Sequence, residues 1–161
     1  MSKIVSKYIE CYVYLETAGV NKYLLLKRSH DKHPYPGIWQ IVTGRIEENE
    51  AAYDTALREV KEETGLKIKK LYVLPKAGSF YTAHTDSLHL IPLFLAYSDG
   101  CAVMISSEHT EYEWLSYKEA RERIHWYNQK ENLDMIEEML CNPLLKGTFV
   151  EIKIEKNKYN K

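Results

Sequence analysis

Residues 44–66, GRIEENEAAYDTALREVKEETGL, constrain this chain more than any other stretch. Glu59, Glu62 and Glu63 are spaced i, i+3 and i+4, so a helix projects all three carboxylates from one face. The segment carries seven acids against three bases, a net −4, in a chain whose formal net charge is −1. Like charges at that spacing destabilise a helix by roughly a few tenths of a kcal/mol per pair. A hard divalent cation such as magnesium reverses the repulsion, because it takes carboxylate oxygens as ligands. Ala52, Ala56 and Val60 form an apolar stripe with Tyr53 and Leu57 beside it, a side that can lie on a sheet. The helix is predicted to begin near Asn49 or Glu50. Gly65 is placed as its C-cap, where only glycine adopts a left-handed backbone without strain. Arg58, about two turns beyond Glu50, is expected to pair with it and hold the preceding loop against the helix.

The remainder alternates strands and helices around that segment. Residues 7–16 and 22–28 read as strands with TAGVN as the turn between them, and 29–37 as a Pro- and Gly-rich loop. His30 and His33 in that loop read as solvated rather than metal-ligating, since no Cys or third His is near. Residues 67–82 read as a strand broken near Pro75 to Gly78, and 87–98 as an apolar, central strand. A short strand from Tyr112 to Leu115 leads to Ser116, an N-cap with Glu119 three residues on. Leu133, Ile136, Met139 and Leu140 have the spacing of a buried helical stripe within 129–140. The tail, about 148–161, reads as an edge strand or a frayed end.

With 161 residues, 45% of them hydrophobic, the chain is expected to form one domain, 1–161, with a sizeable core. Near-neutral charge and the lack of a basic stripe argue against a nucleic-acid partner. Cys11, Cys101 and Cys141 are odd in number and far apart, which suggests a reducing compartment without disulfides or a zinc site. No apolar run near the N-terminus is long enough for a leader or a membrane span, so a cytoplasmic location is expected.

Gly44, Glu50, Arg58, Glu59, Val60, Glu62, Glu63, Gly65 and Leu66 together fill every defined position of the Nudix box. On these residues the chain resembles the Nudix (MutT-like) hydrolases. The resemblance implies an α+β fold, an α/β/α sandwich with a mixed sheet between helices and the box as a loop-helix-loop at 44–66. It also implies hydrolysis of a nucleoside diphosphate linked to a further moiety, with Mg2+, or Mn2+ in its place, held at the pyrophosphate. By that pattern Glu59 and Glu63 are the principal metal ligands, and Glu62 is a ligand or a water-orienting base. The Gly44 carbonyl is a further ligand, and Glu50 is a partner of Arg58. Which carboxylate acts as base is open among Glu59, Glu62 and Glu63, with Arg58 completing the catalytic set.

Two stretches outside the box narrow the resemblance. Before it, Val42-Thr43-Gly44 departs from the Pro-Gly-Gly found in many Nudix enzymes. After it, SSEHTEYEWLSYKEA (106–120) and WYNQK (126–130) look like the bacterial dihydroneopterin triphosphate pyrophosphohydrolases, also described as dATP pyrophosphohydrolases. That likeness spans roughly residues 22–140 and implies Glu108 as a metal ligand, with Glu111 and Glu113 as competitors. Arg28, Thr43 and Lys7 are candidate substrate contacts, as a phosphate-binding cation at a strand end, a hydroxyl and a second cation. Trp39, Tyr81, Trp114 and Trp126 are read as packing residues before base-stacking ones. The expected activity is Mg-dependent cleavage of a nucleoside or dihydroneopterin triphosphate to a monophosphate and pyrophosphate. The alternatives are a dinucleoside polyphosphate or nucleotide-sugar hydrolase, for which the sequence shows no second recognition site, and a non-catalytic nucleotide-binding module. The implied partner is a small nucleotide or pterin triphosphate, with monomer or homodimer left open.

Overall fold

The computed structural model describes residues 1–154, and within them the chain forms a nine-stranded mixed sheet with helices on both faces. The α+β sandwich expected from the sequence is the fold observed. Strands β1 (Lys3–Val5), β2 (Tyr8–Thr17) and β3 (Val20–Arg28) open the chain. Ala18 and Gly19, both at positive φ, join β2 to β3 in a two-residue hairpin whose twist suits the flanking strands. Strands β4 (Trp39–Gln40) and β5 (Val42–Arg45) precede helix α1 (Ala52–Thr64). Then come β6 (Ile68–Thr82), β7 (Ser87–Ser98), β8 (His109–Ser116), α2 (Tyr117–Arg123), α3 (Tyr127–Cys141), α4 (Pro143–Lys146) and β9 (Val150–Ile152).

The continuous apolar character of β2 and β7 is that of strands covered on both faces. β7 is central, parallel to β1 over Ser87–His89 and to β2 over Leu93–Tyr97, and antiparallel to β6 on its other side. Pro92 falls in the gap between the two parallel partners and opposite a bulge of β6 between Val73 and Ala77, so its missing amide removes no ladder bond on the parallel side. That bulge is the break expected near Pro75; the strand continues through it. β9 lies on the edge of β6, the strand reading of the tail, whereas residues 155–161 fall outside the described residues.

α1 covers one face, packing Ala56 and Val60 on Ile9, Cys11, Leu24, Leu26, Val42 and Phe94. α2 and α3 cover the other, with Leu133, Ile136 and Leu140 on Tyr12, Leu25, Leu93 and Leu95. Each such buried aliphatic side chain contributes about 1.5–3 kcal/mol. Ser116 caps α2 through the expected reciprocal bonds with Glu119, and Gly65 ends α1 at φ +68. Three local expectations are corrected. α1 begins at Ala52, not at Asn49 or Glu50, because Asn49 is at positive φ and the Glu50 carboxylate accepts from the Glu47 amide at 3.1 Å, folding both into the loop. Tyr53 is exposed rather than part of the packing side. β8 is longer than Tyr112–Leu115, extended by pairing with β3 as far as Arg28 and His109. Among the described residues no helix is long and apolar enough to cross a membrane.

Candidate active site

Strand alternation decides what β5 offers to each face. Val42 points into the core beneath α1, so Gly44 does as well, while Thr43 and Arg45 stand opposite Glu10 and Tyr8 on the α3 side. Gly44 lies against Glu59 so closely that a Cβ there would overlap the Glu59 Cγ and Cδ. The glycine is therefore required by close approach.

Arg58 organises the box. Its Nε and Nη2 donate to the two Glu50 carboxylate oxygens at 2.8 and 3.0 Å, and Nη2 also reaches the Arg45 carbonyl at 3.0 Å. Nη1 donates to Glu59 at 2.9 Å and to Glu62 at 3.1 Å. This fork ties the loop, β5 and two of the clustered carboxylates to one guanidinium. Glu50 also accepts from Thr55 Oγ1 at 2.7 Å, and with Arg58 beside it its carboxyl is held down to about 2. Among the described residues no three acidic, His or Cys groups already converge as a coordination sphere, since Glu59 and Glu62 are turned to Arg58.

Glu63 differs from its neighbours. It is 5% exposed, and its Oε2 is buried without a hydrogen-bond partner. Burial first, then the charges of Glu59 and Glu108, push its carboxyl up to about 9. Burial likewise raises Glu59, against the pull of Arg58. His109 Nε2 lies 4.0 Å from Glu63 Oε2, but burial lowers the imidazole to about 4. At neutral pH that approach joins two uncharged groups and is not an ion pair.

The other sequence candidates fall around this centre. Glu108 is half exposed, pairs with Lys32 at 3.2 Å, and projects its charge onto Glu59 and Glu63. Its competitors are engaged elsewhere, Glu111 by Lys27 at 2.6 Å and Glu113 by Arg123. Arg28 ends β3 opposite His109, with its Nε buried and unpartnered and its charge felt at Glu63. Thr43 and Lys7 do not join the carboxylates. Thr43 lies on the opposite face of β5, and Lys7 is exposed between β1 and β2. Tyr81 is 56% exposed and so is not a packing residue. Trp39 packs under the Arg123 guanidinium at 5.0 Å, Trp114 donates to the Cys101 carbonyl at 2.9 Å, and Trp126 meets Tyr35 edge-on.

Sequence reasoning missed His109, Arg45 and a buried polar cluster around Glu10. Gln129 Nε2, Tyr12 OH and Asn132 Nδ2 donate to the Glu10 carboxylate at 3.2, 3.1 and 3.4 Å. Burial nevertheless raises its pKa. Glu10 borders a cavity of about 340 Å³ that also takes in Tyr8, Thr43, Gly44, Phe80 and Ile91. Its signal was an acid in an otherwise apolar, doubly covered strand.

Fold and site together set the clustered carboxylates of α1, one of them buried with a partnerless oxygen, against the glycine of β5 in a mixed sheet. The NUDIX domain family matches residues 11–136. A dihydroneopterin triphosphate diphosphatase of Haemophilus influenzae is 30% identical over 142 residues, 81% of this chain and 85% of that protein. The mouse asymmetrical bis(5'-nucleosyl)-tetraphosphatase is 27% identical over 124 residues, 75% of this chain and 82% of that protein. An octanoyltransferase of Myxococcus xanthus is 30% identical over 119 residues, 68% of this chain, yet the match spans only 30% of that longer protein. Among solved structures, a Caenorhabditis elegans Ap4A hydrolase binary complex superposes with a TM-score of 0.71 at 21% identity, covering 84% of this chain and 98% of that one. The chain belongs to the Nudix family and is a pyrophosphohydrolase of that family.

Proposed function

We propose that this protein is a magnesium-dependent pyrophosphohydrolase that cleaves a nucleoside or dihydroneopterin triphosphate to a monophosphate and pyrophosphate by attack of water at phosphorus. The observation that carries the reading is Glu63, a buried carboxylate with a partnerless oxygen, beside Glu59 and Glu108 and within the field of Arg28. The donor set fits a hard divalent ion: carboxylate oxygens, a raised pKa that a cation would bring down, and a glycine that lets Glu59 close on β5. Glu59, Glu63, Glu108 and the Gly44 carbonyl would hold it, with Glu62 as a further ligand or as the base. When bound, magnesium lowers the pKa of water and neutralises phosphoryl oxygens. Arg58 keeps Glu59 and Glu62 in one cluster while its bidentate bond to Glu50 anchors the loop. Arg28 supplies positive charge at the strand end, where phosphoryl oxygens would gather. His109, neutral and buried, closes the wall behind Glu63 and limits its contact with bulk water.

The likeness to the Haemophilus protein supports the triphosphate reading. A second reading, a dinucleoside polyphosphate as substrate, has the mouse relative and a second cavity in its favour. The test is a panel of triphosphates, dihydroneopterin triphosphate, dinucleoside polyphosphates and nucleotide sugars with magnesium, assayed for phosphate with and without inorganic pyrophosphatase. Phosphate seen only with pyrophosphatase, and strongest for a triphosphate, is expected. Direct release of phosphate would show that another bond is cut.

A further inference from the structure

Three buried polar atoms next to the box lack hydrogen-bond partners among the described residues: Glu63 Oε2, His109 Nδ1 and Arg28 Nε. They come from three elements, α1, the start of β8 and the end of β3. His109 links the other two. Its Nε2 is 4.0 Å from Glu63 Oε2, and its backbone is paired across the ladder with that of Arg28. A buried donor or acceptor without a partner is costly, so three in one cluster call for a common cause.

A break in strand alternation brings His109 to this place. Along β8, Trp114 packs on the α1 side of the sheet. Glu113 and Glu111 lie on the other side, where they meet Arg123 of α2 and Lys27, whose ammonium sits over Trp39. Unbroken alternation would put His109 on the side of Glu111, away from Glu63. The register instead steps from Lys27 opposite Glu111 to Arg28 opposite His109. This bulge leaves Thr110 without a partner in the β3 ladder and turns His109 toward α1. Two backbone bonds then fix it there. The Ser106 amide donates to the Glu63 carbonyl at 3.2 Å, and the His109 amide donates to the Ser106 carbonyl at 3.1 Å.

We infer that His109 is a positioning residue for Glu63: its Nε2–H donates to Glu63 Oε2 and its Nδ1 accepts from Arg28 Nε–H, which leaves Glu63 Oε1 as the oxygen offered to a divalent ion. The pairing follows from the three orphaned atoms, whereas its service to the ion rests on the pyrophosphohydrolase reading. A neutral imidazole has one donor and one acceptor nitrogen, and the partner of one sets what the other presents. A guanidinium only donates, so Arg28 selects the tautomer whose proton sits on Nε2, facing Glu63. Toward an ionised Glu63 that bond is charge-assisted, which draws the 4.0 Å approach into bonding range. Without it the carboxylate rotates about its last torsion and neither oxygen is fixed. Partners of this kind contribute about 10–100-fold to metal affinity or activity.

The test uses the full chain, isotope-labelled, and long-range proton–nitrogen correlation spectra with and without magnesium. The His109 signals are those lost in His109→Gln. A neutral ring with its proton on Nε2 is expected, and a proton on Nδ1 or on both nitrogens overturns the pairing. Arg28→Lys keeps the charge without the Nε–H and is expected to mix the two tautomers; an unchanged spectrum overturns the part given to Arg28. Manganese affinity, followed by electron paramagnetic resonance, reads the service to the ion. His109→Leu fills similar space without a donor and is expected to bind at least tenfold more weakly. His109→Gln, whose amide can donate to Glu63, is expected to stay within threefold of wild type. A loss smaller than tenfold in His109→Leu, or His109→Gln as weak as His109→Leu, overturns the positioning role and leaves His109 as a wall. Should His109→Leu fail to fold, the wild-type tautomer and Arg28→Lys still decide. If wild type immobilises no manganese, the metal-dependent reading fails, while the tautomer decides the pairing on its own.

Discussion

Replacing Glu63 with Gln separates the stability of the metal-free fold from the chemistry it supports. In the metal-free protein the Glu63 carboxyl is pushed from the ordinary 4.5 up to about 9, first by burial and then by Glu59 and Glu108. The folded state therefore keeps a proton that the unfolded chain has released, and stability falls as pH rises through that window. Each pH unit above the ordinary value removes about 1.4 kcal/mol, so by pH 7 the cost is about 3 kcal/mol. Gln matches the shape of the protonated acid and has no charge to lose. The metal-free variant should therefore equal wild type near pH 4 and exceed it at pH 7, by on the order of 5–10 °C in Tm for a chain of this size. Thermal unfolding in chelator from pH 4 to pH 8 reads this directly. Millimolar magnesium should then stabilise wild type and not the variant, because only the native carboxylate gains a ligand. Parallel pH profiles for the two proteins, or a variant less stable than wild type at pH 7 without metal, would refute the burial argument.

Gly44→Ala should lower kcat by about 100-fold or more, since its methyl group displaces Glu59; circular dichroism checks that the fold survives. Arg58→Ala removes bonds to Glu50, Glu59, Glu62 and the Arg45 carbonyl, and should destabilise the protein by about 2–3 kcal/mol in urea titration. Glu50, held down to about 2 by Arg58, stabilises the fold above its ordinary 4.5 and loses that contribution as pH falls toward 2. Acid unfolding of Glu50→Gln should accordingly show a shallower dependence over pH 2–4.5. Ser116→Ala breaks the capping box of α2 and should cost about 1 kcal/mol in chemical denaturation, with kcat unchanged.

What the sequence made legible followed local physics. The spacing of Glu59, Glu62 and Glu63, the Gly65 cap, the Ser116 cap and the Glu50–Arg58 pair are all set within one helix or its ends, where periodicity is informative. What it left hidden depends on pairing between distant strands. Thr43 and Arg45 flank Gly44 in the chain, and only the pairing of β5 with β2 shows that this segment is a strand whose alternation sends them to the opposite face, beside Glu10 and Tyr8. Lys3, His84 and His89 become neighbours only because β1 lies parallel to the start of β7, a contact no local pattern announces. Helical spacing puts Tyr53 beside the apolar stripe and aromatic character makes Tyr81 a packing residue, yet both are exposed because the stripe of α1 is narrow and the β6–β7 turn extends into solvent.

The proposed hydrolysis depends on a divalent ion held by the box carboxylates. Manganese, as a spectroscopic stand-in for magnesium, can be titrated into wild type and Glu59→Gln/Glu63→Gln and followed by electron paramagnetic resonance, beside turnover of the best substrate. Wild type is expected to immobilise manganese and turn over, and the double variant, still folded, to do neither. Equal manganese binding by both proteins, or turnover by the double variant within tenfold of wild type, would contradict it.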